Sequence, residues 1–346
     1  MMGICSNILQ SPIWLFQIVG TAKSLRKNPL LANQWLNAHG LHRNRVQAAA
    51  TMADRRRQVL ARSISAEDRA QFDANGFILT EDFLPESQFS ALKAEVLDGA
   101  FSAREMRQGH TVTRMIPTPP KVLNANPALA QSLGDHRALN QIRYASSRGG
   151  RPTSFLQTVL ADPSIEGSDP QTDLHTDTFH STAKTWLFLR DVGEDDGPVS
   201  YVPGSHKLTP ERLNWQHNCA LSAMRDPRAH QASGSFRIRD SELQALGLPP
   251  AKRLAVKANT LLVADTFGFH GRTQSEKSTV RIELRWHMRR NPFLPWTGLD
   301  VKALPGLKER ELSAFLKMGD MLEKQFGIRH IWRDVGAVRP ESTANI

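Results

Sequence analysis

Between Glu194 and His206 the chain reverses sharply twice around one short apolar run. Glu194-Asp-Asp-Gly197 ends in a glycine able to take positive φ, and Pro203-Gly-Ser-His206 closes the Val199–Val202 run that follows. Further short runs rich in β-branched or aromatic residues, Ser154–Leu160, Thr182–Leu189, Thr260–Ala264 and Ser278–Met288, are likewise bounded by turn residues. Short strands joined by turns and flanked by helices predict a mainly β protein. They fit a double-stranded β-helix (jelly roll, cupin-like) core with helical additions better than a parallel βαβ sheet.

The flanking helices are legible from caps and breakers. Ser65-Ala-Glu-Asp reads as an N-cap with acids in the first turn, opening a helix that Gly76 breaks. Phe77-Ile-Leu-Thr then reads as a strand, and Pro85-Glu-Ser-Gln opens a helix carrying Phe89, Leu92, Val96 and Leu97 at helical spacing. Three regions follow: a basic helical arm over 1–65, a jelly-roll domain over 66–292 with an insertion at 207–258, and a C-terminal helical extension over 293–346 with its helix at 305–327.

Charge is distributed unevenly. The chain of 346 residues has a net charge of +10, yet residues 1–65 carry nine basic residues against the single acid Asp54. That arm accounts for +8 and leaves the body nearly balanced. No zinc-finger spacing or aromatic-basic RNA-binding signature accompanies it, so nucleic acid is not an expected partner. The apolar run Ile8–Val19 followed by Lys23, Arg26 and Lys27 allows peripheral contact of residues 8–62 with a membrane; the alternative is an ordinary segment docked on the body. The run has neither the basic leader nor the cleavage site of a signal peptide and is too short to span a bilayer. Two cysteines, Cys5 and Cys219, make no disulfide scaffold, and a reducing, cytoplasmic setting is expected, peripheral to the inner face of a membrane if the arm makes that contact.

The chemistry-bearing residues begin at His175-Thr-Asp177. On a strand, residues i and i+2 project to one face, so an imidazole and a carboxylate converge there. His270 follows just beyond the Thr260–Ala264 strand. Two histidines and one carboxylate form a facial triad, which leaves three positions of an octahedral ion open and suits non-haem Fe(II) with a chelating co-substrate and O2. Arg281, eleven residues past His270, offers a planar fork for the far carboxylate of 2-oxoglutarate. Each has a plainer alternative. The histidines can be hydrogen-bonded structural residues, Arg281 can pair with Glu283 or Asp265, and Arg285 shares its strand parity. His206 reads as a turn residue, His180 and His287 complete no better triad, and Ser205 lacks a nucleophile elbow.

With these residues in order, the chain resembles the phytanoyl-CoA dioxygenase family of Fe(II)/2-oxoglutarate oxygenases. The matching positions run from Phe72, Gly76-Phe-Ile-Leu and Asp82-Phe-Leu through Gln157, His175-Thr-Asp177 and Trp186-Leu-Phe-Leu. They continue through Asp196-Gly-Pro-Val-Ser-Tyr-Val-Pro-Gly-Ser-His206 to His270-Gly and Arg281, covering residues 66–290. The resemblance implies iron on His175, Asp177 and His270, 2-oxoglutarate on Arg281, and Gln157 and Trp186 lining the co-substrate pocket. It implies hydroxylation, or a related desaturation or cyclisation, of a small-molecule or lipid-like substrate with release of succinate and CO2; related halogenases lack the Asp177 carboxylate. Arg272, where relatives often have a small residue, departs from the pattern. The competing expectation is a jelly-roll binding or scaffold protein that has lost turnover and docks through its arm to membrane or phosphate groups.

Overall fold

The computed structural model describes residues 12–228, 230–298 and 307–346; Cys5 and the start of the Ile8–Val19 run lie outside them. Two antiparallel sheets form the body. The larger contains β1 (Phe77–Thr80), β2 (Phe101–Gln108), β3 (Thr111–Pro117), β4 (Thr153–Ala161), β5 (Ala183–Phe188), β8 (Leu261–Asp265), β10 (Thr279–Met288) and β11 (Arg333–Val338), in the order β1-β8-β5-β10-β4-β3-β2-β11. The smaller is β7 (Lys252–Leu254), β6 (Val199–Tyr201) and β9 (His270–Arg272), and it is prolonged beyond β9 by single bridges from His175 to His270 and to Arg237. Sequence-distant strands alternate between facing sheets, which makes this the expected double-stranded β-helix with flanking helices.

Strand β10 shows how the sequence builds it. Ile282, Leu284, Trp286 and Met288 face outward and join Leu92, Leu129, Leu139 and Ile142 in a core beneath the helices α3 (Glu86–Asp98) and α4 (His136–Ala145). The alternate residues Arg281, Glu283 and Arg285 face into the space between the sheets and are buried there. One end of that space is apolar, filled by Phe77, Trp186, Phe188, Tyr201 and Leu262. The polar residues at its other end form the site.

The arm is bonded into the body rather than appended to it. Helix α1 (Leu41–Leu60) buries His42, Arg45, Val46, Ala49, Ala53 and Arg56, one stripe at helical spacing, and lies against α5 (Pro210–Ser222). Arg56 donates to the Ser147, Pro292 and Leu294 carbonyls, and Arg45 donates to those of Ile18 and Ala22 while lying 4.1 Å over the Phe179 ring. Much of the arm's charge therefore works inward.

Two local expectations hold in detail. Ser65 Oγ accepts from the Asp68 amide at 3.0 Å, starting α2 (Ala66–Asn75). Gly76 ends that helix at φ +87°, where a Cβ would come within 2.6 Å of the His206 ring and the Tyr201 hydroxyl, so glycine is needed on both counts. Two elements differ from expectation. Residues 101–117 form a hairpin, and the C-terminal region holds a strand besides its helix α6 (Lys308–Phe326): β11 pairs with β2 through a bulge at Asp334/Gly336. Within 207–258 lie α5, a short helix at Asp240–Ala245 and β7.

Candidate metal centre

His175 and His270 face each other across the smaller sheet. Each amide donates to the other's carbonyl, at 2.9 and 3.0 Å, so both side chains leave the same face with ring centroids 4.6 Å apart. The Asp177 amide bonds to the Thr266 carbonyl, which places its carboxylate on that face two residues on. Asp177 Oδ1 lies 3.8 Å from His175 Nε2 and 3.7 Å from His270 Nε2, and one potential ligand atom from each residue falls within 4.8 Å of the others.

The hydrogen bonds around the rings set their tautomers. His175 Nδ1 lies 2.7 Å from the Asp173 carbonyl and His270 Nδ1 lies 3.0 Å from that of Gly268. A carbonyl oxygen only accepts, so each Nδ1 carries the proton and each Nε2 turns a lone pair inward. His270 Nε2 is buried with no hydrogen-bond partner among the described residues. Burial holds His175 well below the usual imidazole range and His270 down at about 4, so both are neutral donors at pH 7. Burial pushes Asp177 up, but Lys184 and the two histidines outweigh it and hold the carboxylate well below its ordinary value. Two neutral imidazoles and a carboxylate, aimed at one point with an orphaned nitrogen, fit a divalent ion of the Fe(II) type.

Beside this group lies a cavity of about 190 Å3. Gln157, Trp186 and Arg281 line it, and so do Lys184, Arg272 and Arg285. It is smaller than the ~300–1,000 Å3 typical of drug-sized ligands and is walled by cations, which suits a small acid. A larger groove of about 970 Å3 lies between α1, the loops at 179–181 and 206–209 and the first turns of α5, and none of the three candidate ligands lines it.

Several residues acquire definite surroundings here. Gln157 donates to Glu283 at 2.6 Å, and Trp186 lies beneath the Arg285 guanidinium at 4.2 Å. Arg272 is fixed by Asp169 at 2.9 Å on the cavity wall. His206 packs edge-on against Phe72, away from the triad. Lys184 and Lys23 were not anticipated. Lys184 Nζ donates to Asp177 Oδ1 at 2.9 Å, and Lys23 Nζ, from the arm, donates to the Asp177 carbonyl. Lys184 precedes Trp186 by two on β5, so strand parity alone marks it as inward-facing.

A buried pair of histidines with one carboxylate, set on the smaller sheet of a jelly roll beside a cationic cavity, makes a candidate metal centre on a protein of the double-stranded β-helix class. Residues 72–231 match the family model for phytanoyl-CoA dioxygenase (PhyH), which bears out the resemblance drawn from the motifs. That stretch includes His175 and Asp177 and stops short of His270 and Arg281. Similar solved structures include SnoN, a non-haem α-ketoglutarate-dependent epimerase from nogalamycin biosynthesis, with 17% identity over 70% of this chain and 92% of that one at a TM-score of 0.43. HygX from Streptomyces hygroscopicus, with nickel and 2-oxoglutarate bound, has 18% identity over 70% and 94% at 0.42. SnoK, a carbocyclase from nogalamycin biosynthesis, has 18% identity over 66% and 85% at 0.39. No curated protein matches the sequence.

Proposed function

We propose that the protein is an Fe(II)- and 2-oxoglutarate-dependent dioxygenase that hydroxylates a small-molecule or lipid-like substrate. The observation that carries this reading is the meeting of two inward-facing Nε2 lone pairs and the Asp177 carboxylate beside a small cationic cavity. His175, Asp177 and His270 would hold the iron. When bound, iron and 2-oxoglutarate supply oxidative chemistry, in which O2 and the co-substrate become succinate, CO2 and one oxygen atom on substrate carbon.

The chain's own residues prepare that chemistry. The Asp173 and Gly268 carbonyls orient the imidazoles, and burial keeps both neutral and able to donate to a metal. A facial set of three leaves the opposite face open to ligands from the cavity side. The cavity's cations offset the charge of a dicarboxylate, and its small volume limits the water admitted with it.

The test is anaerobic reconstitution with Fe(II) followed by 2-oxoglutarate. A weak visible charge-transfer band is expected in the intact protein and is expected to vanish in His175→Ala. Absence of the band, or its survival in that variant, overturns the reading. With a turned-over substrate, 18O2 is expected to leave one labelled atom in product; an unlabelled product points to desaturation, ring closure or epimerisation instead.

A further inference from the structure

Helix α6 segregates its charge. Each of its four acids turns to the body: Glu309 pairs with Arg151 at 2.6 Å, and Glu311 accepts from Thr153 at 3.2 Å. Asp320 pairs with Arg104 at 2.5 Å and Glu323 with Arg333 at 2.8 Å. Three of its bases do the opposite. Arg310, Lys317 and Lys324 stand seven residues apart, close to two full turns, and so form one row along the helix. All three are exposed, as is Arg329 just beyond the helix. None of the four enters an ion pair or a side-chain hydrogen bond among the described residues.

An apolar stripe runs along the same outer surface. Phe315, Met318, Leu322 and Phe326 recur at spacings of three, four and four, while Leu316 is buried against the body. Phe315, Met318 and Phe326 are 52%, 51% and 68% exposed, and Ile328 and Ile331 prolong the surface at 58% and 61%. None of them lines either cavity described above. Apolar side chains gathered in this way mark a contact surface, and the charges beside them say for what. A second copy on this face would bring two rows of unpaired bases together, and like charges oppose that. An acidic protein would satisfy the bases, but a convex apolar stripe then needs a groove shaped to it. A fluid anionic lipid surface needs none. Rings and thioethers enter the boundary between headgroups and acyl chains, and the long basic side chains reach back to the headgroup charges.

We propose that the outer face of α6, with Phe315, Met318, Phe326, Lys317 and Lys324, docks the protein on an anionic lipid bilayer. This face is distinct from the arm, whose buried arginines work inward, and the proposal does not depend on the metal chemistry. Trp332, beside the exposed Ile331, lines the cavity next to the metal group, so the docking face adjoins that cavity's wall.

Co-sedimentation of the full chain with vesicles of phosphatidylcholine and phosphatidylglycerol, against vesicles of phosphatidylcholine alone, reads the docking. The wild type is expected to partition onto the mixed vesicles at least about tenfold more strongly, and less so as salt rises. One lysine at an anionic surface is worth about fivefold, so Lys317→Glu/Lys324→Glu is expected to cost well over about tenfold. Met318→Gln/Phe326→Gln keeps every charge and is expected to cost severalfold. Leu15→Gln/Phe16→Gln, at exposed positions of the arm, is expected to change nothing. Should the charge reversal lower the melting temperature, Lys317→Gln/Lys324→Gln removes the charge alone. Slower amide exchange in α6 on adding mixed vesicles is expected to report the contact in the unaltered chain. No binding by the wild type, equal binding to the two vesicles, or unchanged binding in the α6 variants overturns the proposal. So does a loss confined to the arm variant. A wild type that ignores vesicles also overturns it: self-association that the α6 variants abolish assigns the face to a second copy, and binding to polyglutamate assigns it to an acidic protein.

Discussion

Arg57 Nη2 lies 2.7 Å from Asp265 Oδ2, joining helix α1 of the arm to the last residue of β8. Asp265 has no solvent exposure, and its Oδ1 accepts from the Phe267 amide in the turn leading to His270. The arm thus neutralises a carboxylate inside the wall that carries a candidate metal ligand. Arg57→Ala strands that carboxylate and is expected to cost about 3 kcal/mol, the lower end for breaking a buried pair, because Arg57 keeps some exposure. Urea midpoints measure it, and Asp265→Asn in the same chain is expected to restore part of the loss. Deleting residues 1–65 removes Arg45, Arg56 and Arg57 together and is expected to leave no soluble, cooperatively folding body. A truncated protein that melts like the full chain would refute the structural role assigned to the arm.

The same arginines show where sequence reading stopped. Counting charge located the excess in the arm but not the direction in which it faces; burial of Arg45 and Arg56 needs the partner carbonyls, which lie far away in the chain. The metal group was legible because its signal is local: His175 and Asp177 share a strand face by parity, and His270 follows a recognisable apolar strand. Strands β4, β5, β8 and β10 stood out through β-branched and aromatic runs between turns. The β2–β3 hairpin did not, because its outward face, the one shared with Ile282, holds the buried ion pair Glu105–Arg114, which breaks the apolar alternation that marks a strand. Strand β11 was hidden by its short, bulged sequence at the sheet edge.

Lys184 places an ammonium 2.9 Å from a carboxylate oxygen of the metal group. A divalent ion there must share Asp177 with that cation, and like charges a few ångströms apart oppose each other even under strong screening. Lys184→Met is therefore expected to tighten Mn(II) or Co(II) binding by about tenfold, or about 1.4 kcal/mol. Calorimetric titration of the metal-free protein measures it. Weaker binding in the variant would mean that Lys184 orients Asp177 rather than competing with the ion.

The C-terminal segment closes over a buried charge. Arg114 pairs with Glu105 at 2.5 Å, neither side chain reaching solvent, and donates to the carbonyls of Arg339, Pro340 and Thr343 at 3.0, 2.9 and 2.7 Å. Removing residues 339–346 strips those acceptors from a charged donor and is expected to cost about 2–3 kcal/mol, with faster amide exchange in β2 and β3. In an Arg114→Met background the same deletion is expected to cost clearly less, because the donors are gone. Equal costs in the two backgrounds would show that the segment acts through contacts other than those to Arg114.

Buried histidines inside and outside the candidate metal group make the stability of the metal-free protein pH-dependent. Burial is the main cause in each case: it lowers His42, His270 and His287 to about 4 and His180 and His206 to about 3 from the ordinary 6.5, and holds His175 well below it. Below pH 6.5 the unfolded chain takes up protons at these sites and the folded chain does not, so stability falls as pH falls from 6.5 toward 4 and is fully present above that window. Each histidine contributes up to about 1.4 kcal/mol per pH unit within it. Asp265, whose carboxyl burial pushes up, is protonated earlier in the folded state and offsets part of the loss. Urea midpoints of the metal-free protein are expected to drop by the equivalent of several kcal/mol between about pH 7 and 5.5. They are expected to change little between about pH 7 and 8. His42→Gln, which keeps a side chain able to reach Gln216 without titrating, is expected to remove about 1 kcal/mol of the drop. An unchanged pH slope in that variant would mean that His42 takes up its proton in the folded state, at odds with its buried place between α1 and α5.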